Sequence, residues 1–457
     1  MLSFELRYFK KHIIILFFTL SFFFSHLDFL EIQFRFVFLI LFALILFDQN
    51  LKKMITSKLI IFSFVITIFI FVHHIIMFDL IVENKAMFNE TNNNYLKTLF
   101  QSIVIFLSII ILYKFKKIIL ENFNKILFIY LIIFFLLITI NQIKNFDILE
   151  YLYTCNTGFF SNKKFIYEED SHFHIVAAPL IIYCFYNYNY LIKKYLFTFL
   201  FILFSVITFG LFSLTLYLSI SIGVAFVFLA CRNLGKIRIF LFLFLLIINN
   251  SFFFYGKNSD IIVNNKIPNI DHILLQDSQN ACKTIKADNH DGSITNPKQK
   301  FVDLKYIKDF DQNDNPMNLS LKIYLTSLKF AKDIFIEYPF GLGINNYSYK
   351  FTKVNNAKNS NLVDKDGKTR RLYIYNTSDG SNNLSKLIVE FGIFGIITLF
   401  ILAYFSFTKF LEEPIKAFFY TSLLIQIFIR GSGFFFNGFF LILIILILSV
   451  FEKQKNE

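Results

Sequence analysis

The chain has 457 residues, 56% of them hydrophobic and 20% aromatic, with a formal net charge of +13. A soluble domain of this size cannot hide so much apolar surface, and the mean hydropathy of +0.58 excludes that class in favour of an all-α polytopic membrane protein. The basic excess does not point to nucleic acid, because Lys and Arg sit mostly beside apolar runs, where positive-inside topology accounts for them.

With roughly 20 apolar residues per span, the sequence predicts about twelve transmembrane helices. They fall near 12–29, 33–48, 59–77, 96–113, 126–142, 174–191, 195–210, 213–231, 238–255, 387–408, 415–430 and 434–451. The first run is followed by no small-residue cleavage site, so it is expected to stay as an anchor. The run 195–231 has no charge and is too long for one helix. Lys193 and Lys194 precede it; Arg232, Lys236 and Arg238 follow it. Two helices hinged near Gly210 put both basic clusters on one side, as the positive-inside rule requires. By the same rule Arg7, Lys10, Lys11, Lys52, Lys53, Lys114, Lys116, Lys409 and Lys453 are cytoplasmic, with both termini. The chain then divides into an N-terminal bundle (1–255), a large outward region before the last three spans (256–386) and a C-terminal part (387–457). Within the outward region, 256–317 is rich in Asn, Asp and Lys and reads as a solvated loop. Residues 318–337 place Leu321, Leu325, Leu328 and Phe335 near helical spacing, which predicts an amphipathic helix. It stops at Pro339, and PFGLG (339–343) follows as a tight glycine turn.

The stretch SDGSNNLSKLIVEFGIFG (378–395) runs from small polar residues straight into an apolar run. That is a loop ending on the mouth of a membrane helix. Asp379 can accept a proton there, and Asn382 and Asn383 can hydrogen-bond sugar hydroxyls. The structural alternative is a capped helix start, with Ser381 to Lys386 as its first turn. Gly392 and Gly395 read as packing glycines. A second cluster is EEDSHFHIVAAP (168–179). Glu169, Asp170 and His172 at a helix mouth could activate a hydroxyl, or the segment could be only a polar cap. Arg35 and Arg430 stand at outward span ends, against the charge trend. They either snorkel or bind phosphate oxygens through the guanidinium fork. Arg370 and Arg371 in KTRRLYIYN are further phosphate or sugar candidates, against a default of solvated loop charge. No metal site is expected, since HxH alone is a weak signal. Cys155 and Cys282 both fall in outward regions, where a disulfide is permitted; Cys184 and Cys231 read as buried small hydrophobes.

The span pattern with its large outer region, PFGLG after an amphipathic helix, EDSHF at 169–173 and the stretch 378–395 together resemble the O-antigen polymerase and O-antigen ligase superfamily. The ligase pattern has His, then Asn, Ser or Gln, nine residues, then GxxG. Here Asn382 and GIFG (392–395) fit, while Ser381 stands where the ligase has His. That departure favours a polymerase. The resemblance implies a metal-independent, cofactor-free glycosyltransferase of the GT-C type in the bacterial inner membrane. Its donor would be a glycan on undecaprenyl pyrophosphate, used on the periplasmic face. Membrane lipid and a chain-length regulator would be its other partners. Arg35 and Arg430, with Arg370 and Arg371 as alternatives, would hold the pyrophosphate. Glu169, Asp170 and His172 would activate the acceptor hydroxyl; Asp379, Asn382 and Asn383 would position sugars. A ligase acting on lipid A core is the nearest alternative. A lipid-linked oligosaccharide transporter is another, but it calls for charged residues near the bilayer midplane, and this chain gathers its ionisable groups at the edge.

Overall fold

The computed structural model describes residues 2–29, 32–47, 57–81, 88–145, 170–210, 213–231, 234–264, 319–354, 362–363, 369–370, 382–408, 411–431 and 433–456. Nearly all of these residues are helical. Strands among them form only two antiparallel pairs of two residues each. Helix α1 (Leu2–Phe23) leads into the hairpin β1 (Asp28–Phe29) and β2 (Ile32–Gln33), closed by the Phe34 N–H on the Leu27 carbonyl at 3.0 Å. The span expected at 33–48 is one apolar helical run from Phe34 to Phe47, in which a 3-10 turn joins α2 (Phe34–Val37) to α3 (Leu41–Phe47). Next come α4 (Ser57–Ile81), α5 (Phe88–Glu121), α6 (Phe123–Asn145), α7 (Asp170–Tyr186) and α8 (Tyr188–Lys193). The uncharged run is two helices, α9 (Tyr195–Gly210) and α10 (Leu214–Ala230). Ser213 caps the second by accepting the Thr215 N–H at 3.1 Å. Helix α11 (Lys236–Asn264) continues past residue 256, where a loop is expected from composition.

The amphipathic segment is α12 (Leu319–Glu337), followed by α13 (Tyr347–Val354), β3 (Leu362–Val363) and β4 (Thr369–Arg370). The span expected at 387–408 is also two helices, α14 (Asn383–Phe391) and α15 (Ile393–Ser406), broken at Gly392. Helix α16 (Glu413–Phe428) carries Pro414 in its first turn, where its fixed φ is suited. The last helix, α17 (Phe439–Asn456), begins after a chain of turns from Gly433.

Three segments, Leu59–Asp79, Phe123–Ile140 and Lys236–Phe253, are long and apolar enough to cross a membrane, yet only 17%, 33% and 17% of their residues are buried. Six shorter apolar helices accompany them. On α4 the exposed row includes Ile61, Phe64, Val65, Ile68 and Ile76. Apolar area of that extent is unfavourable against water and matches lipid, so this is the surface of a membrane protein.

Helix α16 lies at the centre, with nearly every residue from Ile415 to Ile427 buried. It packs on α7 and α10. A methyl group at Gly223 would sit 2.7 Å from Thr421 Cγ2, so the glycine lets these backbones approach. Lys416, buried in this core, donates through Nζ to the Ala230 carbonyl at 2.9 Å. Cys184 and Cys231 are buried, as read from sequence. A second, smaller core joins Phe330 and Ile334 of α12, Leu342, Tyr347 and Phe351, and Val389 of α14. It seats α12 and α13 on α14.

Candidate active site

The site is built on a backbone lock between the two glycine motifs. The last carbonyls of a helix lack intrahelical donors. Those of Val389 and Glu390 at the end of α14 receive the N–H groups of Leu342 and Gly343, at 2.8 and 2.9 Å. The Ile393 N–H, equally orphaned at the start of α15, donates to the Pro339 carbonyl at 2.8 Å. Gly392 adopts φ +53, and a side chain there would collide with the Pro339 carbonyl. The connection 338–346 is held from the other side by α4. His73 Nε2 donates to the Phe340 carbonyl at 2.8 Å, and Asn346 Nδ2 approaches His74 Nδ1 at 3.4 Å. Asn345, at φ +68, donates through Nδ2 to Gln101 Oε1 at 2.7 Å and Thr98 Oγ1 at 3.1 Å on α5. The motif 339–346 therefore fixes α4, α5 and α14 against one another.

Beside this lock lies a cavity of about 480 Å³, within the range of small-molecule sites. Three cations line it: Arg35 of α2, Lys97 of α5 and Lys386 of α14. Two imidazoles join them, His26 from the turn after α1 and His172 from the first turn of α7. Gln33, Gln101, Asn345 and Asn437 add amides, and Phe434 to Phe436 form an aromatic wall. Among the described residues the lining holds no carboxylate. Arg35 is held in place: Nε donates to Gln33 Oε1 at 2.6 Å, Nη2 donates to the same oxygen, and Cζ stands 4.5 Å from the Phe436 ring centroid. Lys386 Nζ lies 5.2 Å from the centroid of Phe434. Lys97 feels Lys386 and Arg35 as like charges and Glu390 as an opposite one. Three cations gathered against mutual repulsion make a site suited to a multiply charged anion, which guanidinium and ammonium groups bind with charge-assisted hydrogen bonds. The amides and aromatic faces suit polar, ring-shaped neighbours such as sugars.

Phe434 and Phe435 also belong to a second, apolar cavity of about 270 Å³. It runs between Phe62, Ile66 and Phe69 of α4 and Phe440, Leu443 and Ile447 of α17. At its edge Phe69 and Phe394 meet edge to face at 5.2 Å, and they are 42% and 37% exposed. A charged chamber and a greasy channel thus share one aromatic wall.

Arg35 and His172, far apart in the chain, meet in the charged cavity, and the stretch 378–395 contributes Lys386. Asn382 is the N-cap of α14: Oδ1 accepts the Ser385 N–H at 2.8 Å and Nδ2 donates to Ser327 Oγ at 3.2 Å. The cap falls at Asn382 rather than Ser381. Asn383 is fully buried against Gly431, behind the cavity. Arg430 lies outside the lining, its N–H on the Ile425 carbonyl at 3.0 Å. Glu169, Arg371, Asp379, Cys155 and Cys282 lie outside the described residues; of Asp170 and Arg370 only the backbone is described. Lys97, Lys386, His26, Gln33, Gln101, Asn345 and Asn437 were not singled out from sequence. Lys97 had a signal, since it stands at the same kind of span end as Arg35. No protein-family model, curated protein or solved structure matches the chain.

Proposed function

We propose that this protein is a lipid-linked glycan polymerase of the bacterial inner membrane. It joins oligosaccharide repeat units carried on undecaprenyl pyrophosphate. The observation that carries the reading is the cationic cavity sharing Phe434 and Phe435 with an apolar channel. A lipid diphosphate needs both: cations for its head and a dry channel for the first part of its chain.

In this reading Arg35, Lys97 and Lys386 hold the donor diphosphate. The acceptor sugar hydroxyl attacks the anomeric carbon as the carbon–oxygen bond to the diphosphate breaks. His172 takes the hydroxyl proton as general base, with Glu169 or Asp170 beside it in sequence as orienting or alternative bases. The three cations stabilise the charge that develops on the departing diphosphate. A polymerase must hold a second lipid diphosphate, and Arg430, Arg370 and Arg371 are the candidates for it. Asp379 is left for sugar positioning, since Asn382 and Asn383 are buried. The chain is inferred to cross the membrane about twelve times with both termini in the cytoplasm. Three helices long and apolar enough to cross and six shorter apolar ones, among the described residues, support this reading.

Purified protein given only undecaprenyl-linked repeat units is expected to build a ladder of longer lipid-linked glycans, without added metal. His172→Ala should slow it about 10²–10⁴-fold, the usual range for losing a general base. Transfer to lipid A core with no ladder on the carrier lipid would make the ligase reading correct instead. Movement of the lipid-linked unit across the bilayer without any new glycosidic bond would make it a transporter.

A further inference from the structure

Glu390 is fully buried, on the last turn of α14. A buried carboxylate is costly unless something nearby compensates it. Its Oε1 accepts the Tyr347 N–H at 3.3 Å, at the first turn of α13. Its backbone carbonyl accepts the Gly343 N–H. The carboxylate therefore grips the short connection that carries Asn345 into the cavity. Lys386 lies one helical turn earlier, a spacing that puts the two side chains on one face. Burial opposes the charged form of Glu390, and Lys386 and, more weakly, Lys97 act on it as opposite charges. The acid itself is not part of the cavity lining. It shares a helix face with Lys386 and bonds the segment that follows Asn345.

We propose that Glu390 is a positioning residue that also serves as counter-charge to the cationic cavity: it holds the Asn345 turn and offsets part of the charge of Lys386 and Lys97, so that a bound diphosphate is held reversibly. This rests on the reading of the cavity as a diphosphate site. A carboxylate on the same helix face as an ammonium group lowers the attraction that group exerts on an anion, and in a partly dry site the effect is large. Gln in its place keeps an oxygen for the Tyr347 N–H and removes only the charge.

The test uses the full-length protein in detergent and inorganic pyrophosphate as the probe, with binding measured calorimetrically and ladder formation measured alongside. Glu390→Gln should bind pyrophosphate about tenfold more tightly than the wild type. Its KM for the lipid-linked unit and its kcat should fall together, as expected when release of the diphosphate carrier slows. Glu390→Asp keeps the charge; its pyrophosphate affinity should stay within about twofold of the wild type, even where the shorter side chain lowers thermal stability. A folded Glu390→Gln protein with unchanged or weaker pyrophosphate binding overturns the proposal. So does a tenfold change in Glu390→Asp, which also decides the matter if Glu390→Gln does not fold. Wild-type protein that is folded but binds no pyrophosphate overturns the diphosphate reading itself, and this proposal with it.

Discussion

Arg35 is the most constrained of the three cations in the cavity. Gln33 accepts from two of its nitrogens, and the rings of Phe36 and Phe436 flank its guanidinium at 4.9 and 4.5 Å. An ammonium cannot reproduce a planar fork that stacks and donates at once. Arg35→Lys should therefore weaken pyrophosphate binding by about tenfold while the protein elutes as a folded monodisperse species. Equal affinity would show that Arg35 serves packing alone. Asn382 belongs to the opposite case. Both ends of its amide are engaged in capping α14 and in bonding Ser327. Asn382→Ala should cost about 1 kcal/mol of stability, the typical value of an N-cap. Asn382→Asp should keep the cap and most of the ladder activity. A folded Asn382→Asp protein without polymer would instead restore the sugar-positioning role read from sequence.

The element on which the site depends is the join between α14 and α15. Its geometry rests on Gly392, where the backbone is left-handed and the Pro339 carbonyl occupies the space of a side chain. Gly392→Ala adds backbone strain and a steric clash, each of order 1–3 kcal/mol. The variant should lose several degrees of thermal stability by size-exclusion after heating, and its pyrophosphate affinity should drop with it. A variant as stable as the wild type would show that the lock is soft. This join also marks where the sequence could and could not be read. The α9–α10 break was legible because flanking charges report on topology, and α12 because its apolar residues recur at helical period. The break at Gly392 was not, because a glycine inside an apolar run has the same appearance whether it packs or turns. Lys386 was hidden for a related reason: a lysine in the first turn of a helix looks solvated until the rings around it are known. Arg35 and His172 stood out because charge and imidazole at a span end conflict with the apolar pattern. Their meeting with Lys97, Asn345 and Asn437 depends on tertiary packing across most of the chain.

For the whole molecule, polymerisation on the periplasmic face requires the charged cavity to face away from the cytoplasm. Reporter fusions after residues 85, 160 and 320 should read periplasmic, and those after 55, 120, 235 and 412 cytoplasmic, since basic clusters fix orientation. A cytoplasmic signal after residue 320 would put the cavity on the wrong side for periplasmic polymerisation. In the proposed function the cationic cavity and the apolar channel act as one site for a lipid diphosphate. The most direct measurement is photo-crosslinking in membranes with an isoprenoid diphosphate bearing a diazirine early in its chain. Labels are expected on the peptides of α4 and α15 that carry Phe69 and Phe394, and on the part of α17 around Leu443. Inorganic pyrophosphate should compete for this labelling, and the double substitution Lys97→Met, Lys386→Met should abolish it in protein that still folds. Labels scattered over the lipid-facing helices, or labelling that survives loss of both lysines, would contradict it.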